Sequence, residues 1–329
     1  MKNLLLLFVS LFLLSACSSK SKYEPTEIES TLKYDANMKS QLSTVSRDGA
    51  AYENGMLVTK RRGLLKYKLE KDFRFIYDNE NSILVSREDG TVRVLSNGET
   101  RFENKFEFAL SAGAIKNNLL ALIFSNNTLV LYDMKAKKEL YSEALEPTFA
   151  NDSRLANPVF LNDLVIFPTL DGRLLIMDSV KKVILRDVAI SDKELFNNVI
   201  FLDEMNNVLV AATATKVIAI NPKNINTKRI DVKDILYDTN ALYIFTKTGR
   251  ILLTDLNLNV KKEIKFPFAM FSAVTGTDKL YVVEKSGYLI EVDKNLESSK
   301  VYELPSEINR PLFTFKNRLF FGQHFLKIK

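Results

Sequence analysis

The chain has 329 residues, and its 46 lysines and arginines against 40 aspartates and glutamates give a formal charge of +6. The two signs are interspersed with no basic block to follow a phosphate backbone, which argues against nucleic acid as a partner. A single cysteine and a single histidine exclude an internal disulfide and a zinc centre built on Cys and His.

The first element is a signal peptide, residues 1–16. Met1-Lys2-Asn3 is short and positive, and Leu4 to Leu14 is apolar apart from Ser10. That run of about eleven residues falls short of the roughly 20 that span a bilayer as a helix. It ends in Leu14-Ser15-Ala16-Cys17, which has the form of a bacterial lipobox. Cys17 is therefore expected to be lipidated and to become the mature N-terminus, tethering the protein to a membrane. Residues 17–30 begin with a polar, patternless stretch and read as a flexible tether. Ser18 follows the cysteine where an Asp holds lipoproteins of this type in the inner membrane, so the resemblance favours the periplasmic face of the outer membrane.

Residues 31–329 read as one all-β domain made of repeats. Each repeat is an apolar strand, a tight turn and a second strand ending in Asp or Asn. Ile83-Leu84-Val85 meets Asp89-Gly90, Leu164 to Phe167 meets Asp171-Gly172, Leu242 to Phe245 meets Thr248-Gly249, and Leu280 to Val283 meets Ser286-Gly287. Weaker copies turn at Asn127 and Thr215; the first is placed at Leu57-Thr59 with Gly63, the last at Leu319-Phe321 with Gln323. Glycine accepts the positive φ of a hairpin turn, and β-branched and aromatic residues suit a pleated strand. A spacing of 27 to 45 residues predicts a β-propeller of eight four-stranded blades. Seven is the alternative, because the first interval is short. Small residues before the hairpins (Gly49-Ala50-Ala51, Ser111 to Ala114, Asn157-Pro158-Val159, Ala269 to Ala273) are expected on innermost strands. Lys181 to Leu185 and Lys261 to Ile264 are expected on outer ones. The last blade ends without a fourth strand, and the stretch near Thr31 to Tyr34 is expected to supply it and close the ring.

A lipobox followed by about eight such repeats resembles the BamB-type lipoproteins of the outer-membrane β-barrel assembly machinery, within the wider group of propellers related to pyrroloquinoline quinone enzymes. The resemblance covers nearly the whole mature chain. It implies a non-catalytic scaffold that assists insertion of barrel proteins by binding a BamA-type subunit through loops between blades. Asn151 to Pro158 precedes a blade as the family's Leu-Arg loop does, with the order reversed in Arg154-Leu155. One blade later Ser191-Asp192-Lys193-Glu194 resembles the family's Ser-Asp-x-Asp loop, with Glu194 in place of an Asp. Arg154, Leu155, Asp192 and Glu194 are thereby the partner-binding residues that the resemblance implies. The chain departs from the family in having no Trp; its 22 Phe and 12 Tyr must fill that volume, with Phe160, Phe167, Phe245 and Phe313 as core candidates.

Catalytic patterns are lacking. No cofactor or metal is expected, since a quinoprotein uses Trp against its cofactor and a calcium site. The single His324 sits in the last strand and completes no triad. No G-x-S-x-G, Walker or G-x-G-x-x-G motif occurs. The recurring Asp133, Asp178, Asp255 and Asp293 are expected to close the turns after their strands. The alternative functions are a propeller binding a small ligand, a glycan or another envelope protein, or a degenerate quinoprotein.

Overall fold

The computed structural model describes residues 22–148, 151–191 and 196–328. These residues form eight sheets and no helix. In blades 1 to 6 each sheet is an antiparallel meander whose four strands follow one another from the innermost to the outermost. Blade 2, for example, comprises Arg74–Asp78, Ile83–Ser86, Thr91–Ser96 and Glu99–Lys105. First strands of neighbouring blades meet around a central channel. The molecule is an eight-bladed β-propeller, as the repeat predicts.

The core consists of eight apolar clusters, one at each interface between blades. A blade is covered on both faces, so its central strands bury side chains on both sides. In Leu164–Pro168 of blade 4, Val165 and Phe167 pack toward blade 3 while Ile166 packs toward blade 5. This two-sided burial is why the inner hairpins read as unbroken apolar runs, whereas outermost strands such as Val183–Ala189 are half exposed. Phe167, Phe245 and Phe313 are buried core residues; Phe160 is half-buried and packs at the edge of the blade 3–4 cluster. Asp133, Asp178, Asp255 and Asp293 accept backbone N–H groups from residues two to five places on, which closes the turn after the third strand. The Lys181 and Val180 amides hold the Asp178 carboxyl below its ordinary range.

Two details of the expected ring are corrected. The first hairpin is out of phase. Blade 1 is Leu42–Val45, Gly49–Tyr52, Met56–Thr59 and Gly63–Lys68, so Gly63 opens the outermost strand and the central turn is Glu53-Asn54-Gly55. Gly55 matches Gly90: φ is +83° and +86°, and an added Cβ would lie 2.3 Å from Leu69 O and 2.1 Å from Phe106 O. The interval from 55 to 90 is about 35 residues, in line with the others, and the case for seven blades disappears. Gly49 to Ala51 accordingly lies on the second strand of its blade, not the innermost.

The ring closes a little later in the chain than expected. Ala36–Asn37 pairs antiparallel with His324–Lys327 as the fourth strand of blade 8. Ser30–Thr31 instead pairs in parallel with Ser299–Glu303 and widens blade 7 to five strands. Residues 22–37 thus form a strap along blades 6, 7 and 8. Tyr23, within the stretch read as tether, is buried edge-on against Phe266 (6.3 Å) and Tyr288 (5.6 Å). Burial pushes its hydroxyl pKa up to about 12. Tyr34 stacks flat on the His324 ring at 4.3 Å, and His324 Nδ1 lies 2.7 Å from Asn37 Oδ1, so the histidine helps to seal the ring.

Candidate functional site

Alternating strand direction sorts the loops onto two faces. Turns between second and third strands, and the connections from one blade to the next, share the connection face. The other turns share the turn face.

The connection face carries the loops that the sequence singles out. Residues 145–158 join blade 3 to blade 4. Arg154 does not project freely from this loop. Its Nε donates to Asp152 Oδ1 at 2.8 Å and its Nη2 to Asp152 Oδ2, while Nη1 donates to the carbonyls of Val232 and Lys233 at the start of blade 6. Asn198 Nδ2 fastens the same loop by donating to the Asp152 and Arg154 carbonyls, and its Oδ1 accepts from the Asp152 amide. Burial pushes the Asp152 carboxyl up, but its bonds to Arg154 prevail and hold it below the usual range. Leu155 is half-buried against the blade 3–4 cluster. Arg154 and Leu155 therefore lock the loop across the channel mouth. Asp192 and Glu194 lie outside the described residues, as does Cys17.

Sequence reasoning missed a more prominent feature of this face. The connections between blades expose large apolar side chains: Phe108 (39%), Phe196 (55%), Phe268 (63%) and Met270 (53%). They follow blades 2, 4 and 6. Phe106-Glu107-Phe108 and Phe266-Pro267-Phe268 were the available signal, each an aromatic pair placed just after an outermost strand. In both, the first ring is turned inward and the second outward.

The channel is plugged by side chains that cross it. Arg47 of blade 1 reaches Asp234 Oδ1 of blade 6 and the Ile200 carbonyl beside blade 5, both at 3.3 Å, and lies 4.3 Å over the Phe201 ring. Asn157 Nδ2 donates to Asp48 Oδ2 (3.1 Å) and to the Ile76 carbonyl (3.2 Å), and its Oδ1 accepts from the Gly113 amide. Arg47 and Asn157 line both a cavity of about 320 Å³ toward the connection face and a cleft of about 780 Å³ toward the turn face. In the cleft, Tyr237 donates to Asp203 Oδ2 at 2.7 Å, and burial raises the pKa values of both groups. Thr59 donates to Asp78 Oδ2 at 2.8 Å, and Arg62 Nε donates to the same oxygen at 3.3 Å. Each of these carboxylates already has a hydrogen-bond partner within the chain. Among the described residues no group of three or more His, Cys, Asp or Glu could hold a metal.

No family model matches the chain. The plasminogen-binding protein PgbB of Helicobacter pylori strain 26695 is 27% identical over 384 aligned residues, taking in 99% of this chain and 70% of its own. PgbB of strain J99 is 27% identical over 83% of this chain, and the match spans 59% of that relative's length. Among solved structures, BamB from Moraxella catarrhalis superposes with a TM-score of 0.67 at 12% identity, covering 90% of this chain and 98% of that one. The C-terminal WD40 domain of Sif2 gives 0.68 at 14% identity, covering 92% of this chain and 100% of that one. The chain is thus an eight-bladed propeller similar in fold to BamB and WD40 propellers and similar in sequence, along nearly its whole length, to PgbB.

Proposed function

We propose that this chain is a protein-binding propeller of the bacterial envelope, held at the periplasmic face of the outer membrane by lipid on Cys17 and acting without catalysis of its own. The observation that carries this reading is the set of exposed apolar side chains on the connection face, Phe108, Phe196, Phe268 and Met270. Exposed aromatic anchors on a rigid frame serve protein docking better than they serve chemistry. The finer reading is a BamB-type scaffold whose partner is a BamA-type assembly subunit. It is supported by the lipobox and by the BamB fold likeness. A second reading, plasminogen binding, is favoured by the sequence similarity to PgbB across 99% of this chain.

The test is capture of the tagged full chain from solubilised membranes. Recovery of a BamA-type subunit is expected, reduced at least tenfold by combined Phe108→Ser, Phe196→Ser and Phe268→Ser, with Cys17→Ala releasing the chain from the membrane. If the chain instead retains plasminogen and no assembly subunit, the second reading replaces the first. Capture of neither would overturn both.

A further inference from the structure

We infer that the turn-face cleft is a binding site for a small organic anion, one carboxylate or phosphate group on an apolar or aromatic body. The argument begins with its charged residues. Arg47 is paired with Asp234, Asp48 with Asn157, Asp78 with Thr59 and Arg62, and Asp203 with Tyr237; the Lys116 ammonium donates to the Asn162 carbonyl. Two charges lining the cleft remain, Lys60 and Arg61, and among the described residues neither side chain has a hydrogen bond or an ion pair. Both are cations.

They are also adjacent, and the turn that presents them is held on both sides. The Lys60 amide donates to the Asp48 carbonyl at 2.8 Å. The Arg62 amide donates to Thr59 Oγ1 at 3.0 Å, and the Arg62 side chain is drawn back to Asp78. Lys60 and Arg61 are thus offered to the cleft by a turn that need not be ordered on binding, which lowers the entropic cost of capture. Burial lowers the Lys60 pKa, with Asp234 and Asp48 opposing and Arg47 adding, so a seated anion would favour the charged form of this lysine. Around this pair the walls are Tyr77, Phe160, Leu202, Leu236 and Tyr237, which suit an apolar body. At about 780 Å³ the cleft has the size of a small-molecule site. The neighbouring Asp48 and Asp203 leave room for one anionic group and disfavour a polyanion.

Calorimetric titration of the full chain near pH 7 with phenyl phosphate, phenylacetate and inorganic phosphate tests the site. Saturable binding of phenyl phosphate or phenylacetate is expected, at least tenfold tighter than inorganic phosphate, and the tighter of the two identifies the preferred head group. Lys60→Met and Arg61→Gln should each weaken binding at least tenfold, while Lys223→Gln on the rim of blade 5 leaves it unchanged. Arg61 is exposed, so its substitution tests the site without burdening the fold. Absence of saturable binding up to about 10 mM of either aromatic anion, or wild-type affinity in both variants, overturns the inference.

Discussion

A chain beginning at Met38 is expected to lose on the order of 5 kcal/mol of stability and to associate through an open sheet edge. The strap it lacks buries Tyr23, packs Leu32 and Tyr34 against the blade 7–8 cluster, and supplies the fourth strand of blade 8. Each buried apolar side chain contributes roughly 1.5–3 kcal/mol, before the strap's hydrogen bonds are counted. Those include Glu29 N to Val301 O, Leu32 N to Glu303 O and Asp35 N to Phe325 O, at 2.8, 2.8 and 2.9 Å. Without them His324–Lys327 becomes an unpaired edge, and the ring is held at that point by the blade 8–1 cluster and by the Leu42 amide on the Gly322 carbonyl. A chain beginning at Ser30 keeps both strap strands and forfeits only Tyr23 and its neighbours, so it should fall between the two. The chain has no Trp, so urea unfolding is best followed by far-UV circular dichroism, with size-exclusion chromatography for association. An unchanged midpoint in the Met38 chain would contradict the role given to the strap.

Arg154→Ala is expected to cost about 2 kcal/mol and to free the loop over the channel mouth. Three elements depend on this side chain: the Asp152 carboxylate, the carbonyls of Val232 and Lys233, and through the loop backbone the clamp made by Asn198. Losing the guanidinium leaves Asp152 half-buried without its counter-charge, which is costlier than losing the pair together. Arg154→Lys should recover little, because one ammonium cannot reproduce a fork that grips a carboxylate and two carbonyls. The pH dependence has a definite sign. The folded Asp152 pKa lies below its unfolded value, so the pair's contribution is fully present above about pH 4 and is lost as pH falls through the folded pKa. The stability gap between wild type and Arg154→Ala should therefore be constant at neutral pH and shrink in acid. A gap independent of pH would show that Arg154 acts by packing alone.

The propeller was legible because its strongest signals are local. A glycine that must take positive φ and two-sided burial of the central strands recur in the good copies, and in blades 4, 6 and 7 an Asp closes the next turn. Blade 1 was misread for the same local reason: Gly63 also has positive φ (+70°), so a glycine alone does not separate a central turn from an outer one. Strap strands of two residues carry no periodicity, and their partners lie about 270 to 290 residues away. The channel was illegible on similar grounds. Arg47 meets Asp234, and Arg154 meets Val232, only because the ring brings distant blades face to face. The Lys60-Arg61-Arg62 run was visible in the sequence. That its third member is tied back while the first two line a cleft is a property of the fold.

The central claim, a protein partner on the connection face, is tested most directly by site-specific photo-crosslinking in intact cells. A photoreactive residue at position 268 should give an adduct with a protein, while residues at 237 in the turn-face cleft and 180 on the outer rim should give none. Adducts at 237 or 180 with none at 268 would contradict the account.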